Sequence, residues 1–398
     1  MMTTTTSSAA TNAFLRALAH SKSVDKQARL LEEMMCSFSS STKGVKVDDE
    51  DQALFLDLRP REKYRCHSLL HSVNIPFSEI SGSFHLLPPR EVPFAVLLDE
   101  EEKEETKDEV PSLFNKQREV LQRGDFKGCQ WNIKYAFVYN EHFVKAVLKI
   151  QKDSLGNGVD TILALIDDEK VEEKKKKKTH TKRLWEPSPS VVELYKTHLS
   201  SETSGAGGGG GGTSSSTNNN NNNIVLDLGS GVGRDSIYLA SKGFTVFACD
   251  FDQKALLRTQ EMAKLYGVED KVNALKWDAR DDDAFLRALS VVGDVSRLKL
   301  VLGVRFCHKP LFAQIVKHLP GKSDCLFAWF HFAKGCELSK VGRPNKEKDL
   351  IVPNEELRSI FSREEGFEVL KDDVSFLLDG RPSANFIARK RKDDQMCM

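Results

Sequence analysis

Three glycines at alternate positions, Gly229, Gly231 and Gly233, follow an apolar run in "NIVLDLGSGVGRDSIYLA" (223–240). Glycine adopts positive φ and lets a ligand approach the backbone closely, so this spacing suits a turn that holds a nucleotide or a nucleoside. Acids flank it. Asp227 stands before the turn, Asp250 ends the next apolar run in "TVFACDFD", and Asp278 follows a third in "LKWDAR". A carboxylate at Asp227 would face a pyrophosphate at close range, which is unfavourable at low effective dielectric. A ligand that carries a sulfonium and an ammonium but no phosphate gains from the same acids. Asp250 suits bidentate hydrogen bonds to two ribose hydroxyls, charge-assisted bonds worth roughly 1.5–3 kcal/mol each. Asp278 would accept from an adenine amino group or, in the plainer reading, cap a helix. The set predicts S-adenosylmethionine as cofactor, held by Asp227, Gly229, Ser230, Gly231, Gly233, Asp250, Phe251, Asp278 and Ala279.

Methyl transfer from such a cofactor is an in-line displacement, so the protein mainly aligns the nucleophile and sheds water. A soft nucleophile needs little base assistance, whereas an amine or hydroxyl usually needs a proton acceptor. The fourth apolar run exits into "VLGVRFCHKP" (301–310), which holds no acid or amide. Arg305 and His308 take that region, and with His331, Arg343 and Arg381 they would form a cationic rim for a small anionic acceptor. Each of these, taken singly, also suits a surface or packing position. The sequence names no catalytic base.

These residues need a scaffold, and the second half supplies the pattern for one. Apolar strands are predicted at Ile224–Leu228, Phe244–Cys249, Val272–Lys276, Leu298–Val304 and Cys325–His331. Helices are predicted at Arg234–Lys242, at Gln253–Tyr266 and from the fourth strand through Leu319. The final strands, Phe367–Val374 and Ala384–Ala388, flank the turn "DGRP". Alternating strands and helices imply a parallel sheet covered on both faces, with the glycine turn at the carboxyl end of its first strand.

"VLDLGSGVGRDSIYLASKGFTVFACDFD" (225–252) resembles the first two motifs of class I S-adenosylmethionine-dependent methyltransferases. More narrowly, "GRDSIYLASKGF", the ending "NFIARK", "RLWEPSPSVVE" (183–193) and "VRFCHKPLF" (304–312) resemble the tellurite-resistance and thiopurine-type small-molecule enzymes. The resemblance implies a doubly wound Rossmann-like sheet with an antiparallel terminal hairpin over 184–392, an acceptor that is anionic or a soft S, Se or Te nucleophile, and Trp185 closing over the cofactor.

In the first half, "LFLDLRPREKYRCHSLLHSVNIPFSEI" (54–80) resembles the opening of rhodanese domains, through Asp57, Arg59, His67 and "VNIPFSEI". This implies an α/β sulfurtransferase-type domain over 45–168 with its cysteine on the loop after "KYAFVY". Asn140 stands there instead, and an amide cannot carry sulfur covalently. The domain is expected to be inactive and to bind a protein partner or regulate. Alternatives remain a working sulfurtransferase, a protein or RNA methyltransferase, and a module that only binds.

The remainder reads as connection. Residues 1–44 form a disordered or helical extension, Ser/Thr-rich with Arg16 and Lys22, and weakly like an organelle transit segment. "DEEEKEETKDE" (99–109) is a solvated acidic run, 169–183 a basic linker, and 200–223 a Gly/Ser/Asn-rich insert within one domain. With 58 basic and 58 acidic side chains the net charge is zero, which disfavours nucleic acid as a partner, although the linker keeps RNA open. The 8 cysteines form no CxxC pair, so no zinc site is expected and a reducing compartment is. No apolar stretch approaches the ~20 residues of a membrane span. The expected location is the cytoplasm, with a mitochondrion or plastid as the alternative.

Overall fold

The β-branched and aromatic runs bounded by glycine and charge become buried strands in a computed structural model. It describes residues 20–41, 53, 55–69, 72–88, 92–99, 125–126, 129–131, 133–154, 165–167, 182–200, 223–319, 324–336, 347–377 and 380–391. Arg343, the acidic run beyond Asp99, the lysine block 174–178 and the low-complexity insert up to 222 lie outside them. The chain divides into two units, Met1–Glu186 and Pro187–Met398.

The first unit opens with helix α1 (Val24–Ser41). Strand β1 (Phe55–Asp57), helix α2 (Arg61–Cys66), β2 (His67–Leu69) and β3 (Ser72–Asn74) follow, then β4 (Phe94–Leu98), β5 (Asp125–Phe126), β6 (Cys129–Gln130) and β7 (Ile133–Val138). Helix α3 (Glu141–Ser154) and β8 (Leu165–Asp167) complete it. Strands β3, β1, β4 and β7 form a parallel sheet in that order. One face carries Leu56, Leu58, Ile75, Ile80 and Leu184. The other packs Phe55 and Phe137 under α1 and α3 through Leu30, Leu31, Met34, Phe143 and Val147. The N-terminal extension is helical over Val24–Ser41 and lends Ala28, Leu30, Leu31 and Met34 to this unit's core, and Leu184 packs in this unit as well.

At the carboxyl ends of these strands, Arg59 grips buried Asp57 at 2.7 Å and stacks over Tyr139 at 3.5 Å. Asn140 is buried. Its Oδ1 accepts from Phe143 N at 3.0 Å, capping α3, and its Nδ2 donates to the Ser21 carbonyl at 3.0 Å.

The second unit begins with α4 (Pro189–Leu194) and a π-helical turn, Tyr195–Leu199. It then alternates β9 (Ile224–Leu228), α5 (Arg234–Ser241), β10 (Thr245–Asp250), α6 (Gln253–Leu265), β11 (Val272–Lys276), α7 (Ala284–Val292), β12 (Leu298–Val304), α8 (Pro310–His318) and β13 (Leu326–Phe332). A short α9 (Glu356–Ile360) precedes β14 (Phe367–Phe376) and β15 (Pro382–Lys390). The sheet order is β11-β10-β9-β12-β13-β15-β14. The first five are parallel, while β15 runs antiparallel between β13 and β14. The chain winds outward from β9 on one side and then reverses to β12 on the other. That reversal leaves a crevice at the carboxyl ends of β9 and β12, where doubly wound sheets bind ligands. Phe285, Phe312, Phe327, Trp329 and Phe361 fill the core on the side of α7, α8 and α9.

Among the described residues no helix is long and apolar enough to cross a membrane.

Candidate functional site

β9 delivers Asp227 to the crevice. Strand alternation buries Leu226 and Leu228 on the α7–α8 face and turns Asp227 to the other. There its Oδ2 accepts from Ser236 Oγ in the first turn of α5, at 2.5 Å. Asp227 is fully buried, and desolvation pushes its carboxyl up to about 7. The Ser236 hydrogen bond opposes that rise, while the charges of Asp235 and Asp250 add to it. Asp235 is also raised by burial, and its Oδ1 accepts from Ser188 N at 2.7 Å.

The glycine turn has φ of +72° at Gly229, +56° at Gly231 and +77° at Gly233. The three are not equivalent. A Cβ on Gly229 would lie 2.4 Å from the Phe306 side chain, and one on Gly233 would lie 2.4 Å from Thr259. A Cβ on Gly231 would meet nothing within 4 Å. The outer glycines thus allow protein to pack against the turn, while Gly231 faces open space. Ser230 Oγ, between them, is buried without a hydrogen-bond partner.

Asp250, at the end of β10, closes the turn. Its Oδ2 accepts from Gly231 N at 2.8 Å, and its Oδ1 accepts from Asp252 N at 2.8 Å. Phe251 beside it is 52% exposed, an apolar surface at the rim. Ala279 is buried beyond β11. Asp278 is held by its own neighbour. The Arg280 guanidinium binds both its oxygens and the Arg280 N–H donates to Oδ1 at 3.0 Å, which holds the carboxyl well below its usual range. Its oxygens are thus engaged at the protein surface by Arg280.

On the other side of the crevice, β12 exits into Arg305. This residue adopts φ of +52°, and its N–H donates to the Phe330 carbonyl at 2.7 Å. A non-glycine residue held left-handed at a strand end marks stored strain of the kind found at functional sites. The Arg305 side chain is exposed and forms no ion pair with any described side chain. His308 is half-buried nearby, while Lys309 is paired with Glu356 at 2.6 Å. The Cys307 thiol is pushed up to about 12 by burial, so it stays protonated.

His331 does not join a cationic rim. It is 4% exposed, and burial pushes its pKa down to about 4, so the ring is neutral at pH 7. Its Nε2 lies 2.8 Å from the Asp349 carbonyl. Arg381 instead covers the Phe332 ring at 4.5 Å, and Trp185 is buried in the first unit. Three contributors escape a reading of the sequence: Asp235 looks like an ordinary helix-start acid, and Phe306 and Thr259 look like ordinary core. Among the described residues no three His, Cys, Asp or Glu side chains are grouped to hold a metal ion.

Known proteins can now be set beside this geometry. Residues 222–328, from the edge of β9 into β13, match the family described as RNA cap guanine-N2 methyltransferase. A curated uncharacterized protein of Schizosaccharomyces pombe is 25% identical over 365 residues, covering 84% of this chain and 93% of its own. That match is longer than either unit, so it runs through both. Among solved structures, TehB of Haemophilus influenzae is 16% identical, with 57% of this chain and 68% of its own covered and a TM-score of 0.34. A 1,6-didemethyltoxoflavin-N1-methyltransferase of Burkholderia thailandensis is 19% identical, with coverage of 64% and 92% and a TM-score of 0.34. Together with the strand order, the family match gives the second unit a Rossmann-like methyltransferase fold.

Proposed function

We propose that the second unit is an S-adenosylmethionine-dependent methyltransferase whose acceptor docks at the carboxyl ends of β12 and β13. The observation that carries this reading is the contrast within the turn. Gly229 and Gly233 are backed by protein, while Gly231 opens to space between the orphaned Ser230 Oγ and Asp250. An adenosyl group with a sulfonium and an ammonium fits that donor set. Asp250 takes the ribose hydroxyls, Phe251 flanks the base, Ser230 gains a partner, and the Asp227 side of the turn favours positive charge. When bound, the cofactor supplies an electrophilic methyl group.

The chain's own residues orient the acceptor. Arg305 offers an exposed charge at the mouth that is held in no ion pair with a described side chain, which favours an acceptor with an anionic group. The loop from Arg305 to His308 carries no carboxylate or amide, which favours a nucleophile needing little help from that loop. This supports a small, anionic or soft-nucleophile acceptor. The family match supports a second reading, the guanine of an RNA cap, whose phosphates would also suit Arg305.

The first unit presents Asn140 rather than a thiol after β7, engaged on both polar atoms. A binding or regulatory role, with rhodanese-like ancestry, fits that arrangement better than sulfur transfer.

Transfer of labelled methyl from S-adenosylmethionine to selenite, tellurite, thiols, arsenicals and a capped oligoribonucleotide tests the assignment. Label in any one of them at a rate above a protein-free control is expected. Binding of cofactor with no transfer to any would favour a module that only binds.

A further inference from the structure

His331 is a buried base with one nitrogen spoken for and the other vacant. The ring is 4% exposed, on β13, one register step beyond the Phe330 carbonyl that receives the Arg305 N–H. Its Nε2 lies 2.8 Å from the Asp349 carbonyl. A carbonyl oxygen can only accept, so Nε2 must carry the hydrogen. In a neutral imidazole the other nitrogen is then the bare imine. Nδ1 is that nitrogen, and it is buried with no hydrogen-bond partner.

Its neighbours do not satisfy it. Asp349 and Lys309 act on the ring through charge, with Lys309 itself held by Glu356. Buried acceptors are almost always paired in folded proteins, so a vacant one at a ligand-binding edge points to a group that arrives with the ligand. The strand that carries His331 is linked to the cofactor turn through two contacts. Trp329, two residues before His331, donates Nε1–H to the Phe306 carbonyl at 2.9 Å, and the Phe306 side chain packs on Gly229.

We propose that His331 Nδ1 accepts the hydrogen of the methyl acceptor's nucleophile, so the acceptor is a neutral X–H group, an amine or a thiol, rather than a bare selenite or tellurite. This rests on the methyltransferase reading and narrows it. In the step, the lone pair of X forms the bond to the methyl carbon as the carbon–sulfonium bond breaks, leaving a neutral thioether. The X–H proton passes to Nδ1, giving an imidazolium that keeps its Nε2–H bond to Asp349 and returns the proton to water. Arg305 would hold an anionic group elsewhere on the same acceptor, so the two residues select different parts of one molecule.

The test uses the full chain. With ¹⁵N-labelled histidine, His331 is expected to show one protonated nitrogen and one imine nitrogen. The imine signal should move when 3-mercaptopropionate or a 7-methylguanosine cap nucleotide joins the S-adenosylhomocysteine-saturated protein, and should not move with selenite. His331→Gln keeps a donor for the Asp349 carbonyl but replaces the basic imine nitrogen with an amide, whose oxygen accepts a hydrogen bond and cannot take up the proton. Its turnover with whichever X–H probe is methylated should fall at least tenfold, while cofactor affinity stays within twofold. A proton on Nδ1 in the wild type, full turnover in His331→Gln, or selenite as the preferred acceptor would overturn the proposal. Absence of any cofactor binding would instead overturn the reading on which it rests.

Discussion

The Gly231 backbone N–H donates to Asp250 Oδ2 at 2.8 Å, and this one bond ties the glycine turn after β9 to the end of β10. The turn and the acid are thus a single unit. Its parts make different demands on sequence, and substitutions should separate them.

Gly231→Ala should bind cofactor poorly but fold well. The new methyl meets no protein atom, so the stability cost is backbone strain, roughly 1–2 kcal/mol. That methyl projects into the space left for the ligand, and affinity should fall at least tenfold. Gly233→Ala adds to the same strain a clash with Thr259 at 2.4 Å. It should lower the melting temperature well below that of Gly231→Ala, as thermal unfolding of the two variants side by side would report.

Asp227 makes stability depend on pH with an unusual sign. Its folded pKa is raised to about 7 from 3.8, so between about pH 4 and 7 the folded state holds a proton that the unfolded state has lost. Its contribution to stability is therefore highest below pH 4, falls as pH rises through that window, and levels off above 7. The loss is bounded at roughly 4 kcal/mol, at about 1.4 kcal/mol per pH unit. Asp227→Asn keeps an acceptor for Ser236 and should flatten the dependence, melting above the wild type at pH 8. Urea titrations of both proteins at pH 5 and pH 8 check this. A cationic cofactor should favour the ionised acid, so binding at pH 6 should release a proton, seen as a buffer-dependent heat.

Arg305 offers a cleaner separation of charge from backbone. Arg305→Gly relieves the φ of +52° and deletes the guanidinium. The variant should be at least as stable as the wild type. Its KM for an anionic acceptor should rise about tenfold, and rates should lose much of their salt dependence. An unchanged KM would remove Arg305 from acceptor recognition.

In the first unit, Asn140 is a helix cap rather than a nucleophile. Asn140→Ala should destabilise that unit by about 1–2 kcal/mol, the usual cost of losing such a cap. The wild-type protein should give no thiocyanate from thiosulfate and cyanide. Turnover in that assay would contradict the reading of this unit.

Much of this was legible in the sequence because local pattern and tertiary role coincide. The runs 224–228, 272–276 and 298–304 are strands to the residue, and in 224–228 and 298–304 continuous apolar sequence serves a strand buried on both faces. β10 and β13 each shift by a residue, within the ambiguity of strand ends. The site was less legible where roles depend on distant partners. Asp278 looked free for a ligand, and only the fold back of Arg280 shows it engaged. His331 looked like one more cation, and only its burial makes it neutral. Asp235 sits in "GRDS" as an ordinary helix-start acid, yet it is half-buried and accepts from Ser188 N, 47 residues earlier. The helix α1 gave no signal of docking, since its partner α3 lies more than a hundred residues later.

The role proposed for the second unit rests on cofactor binding. Calorimetric titration of the full chain with S-adenosylmethionine should give one binding site, with affinity reduced at least tenfold in Asp250→Ala, which removes both the tie to Gly231 and the acceptor for the ribose hydroxyls. No heat of binding in the wild type, or equal affinity in the two proteins, would contradict it.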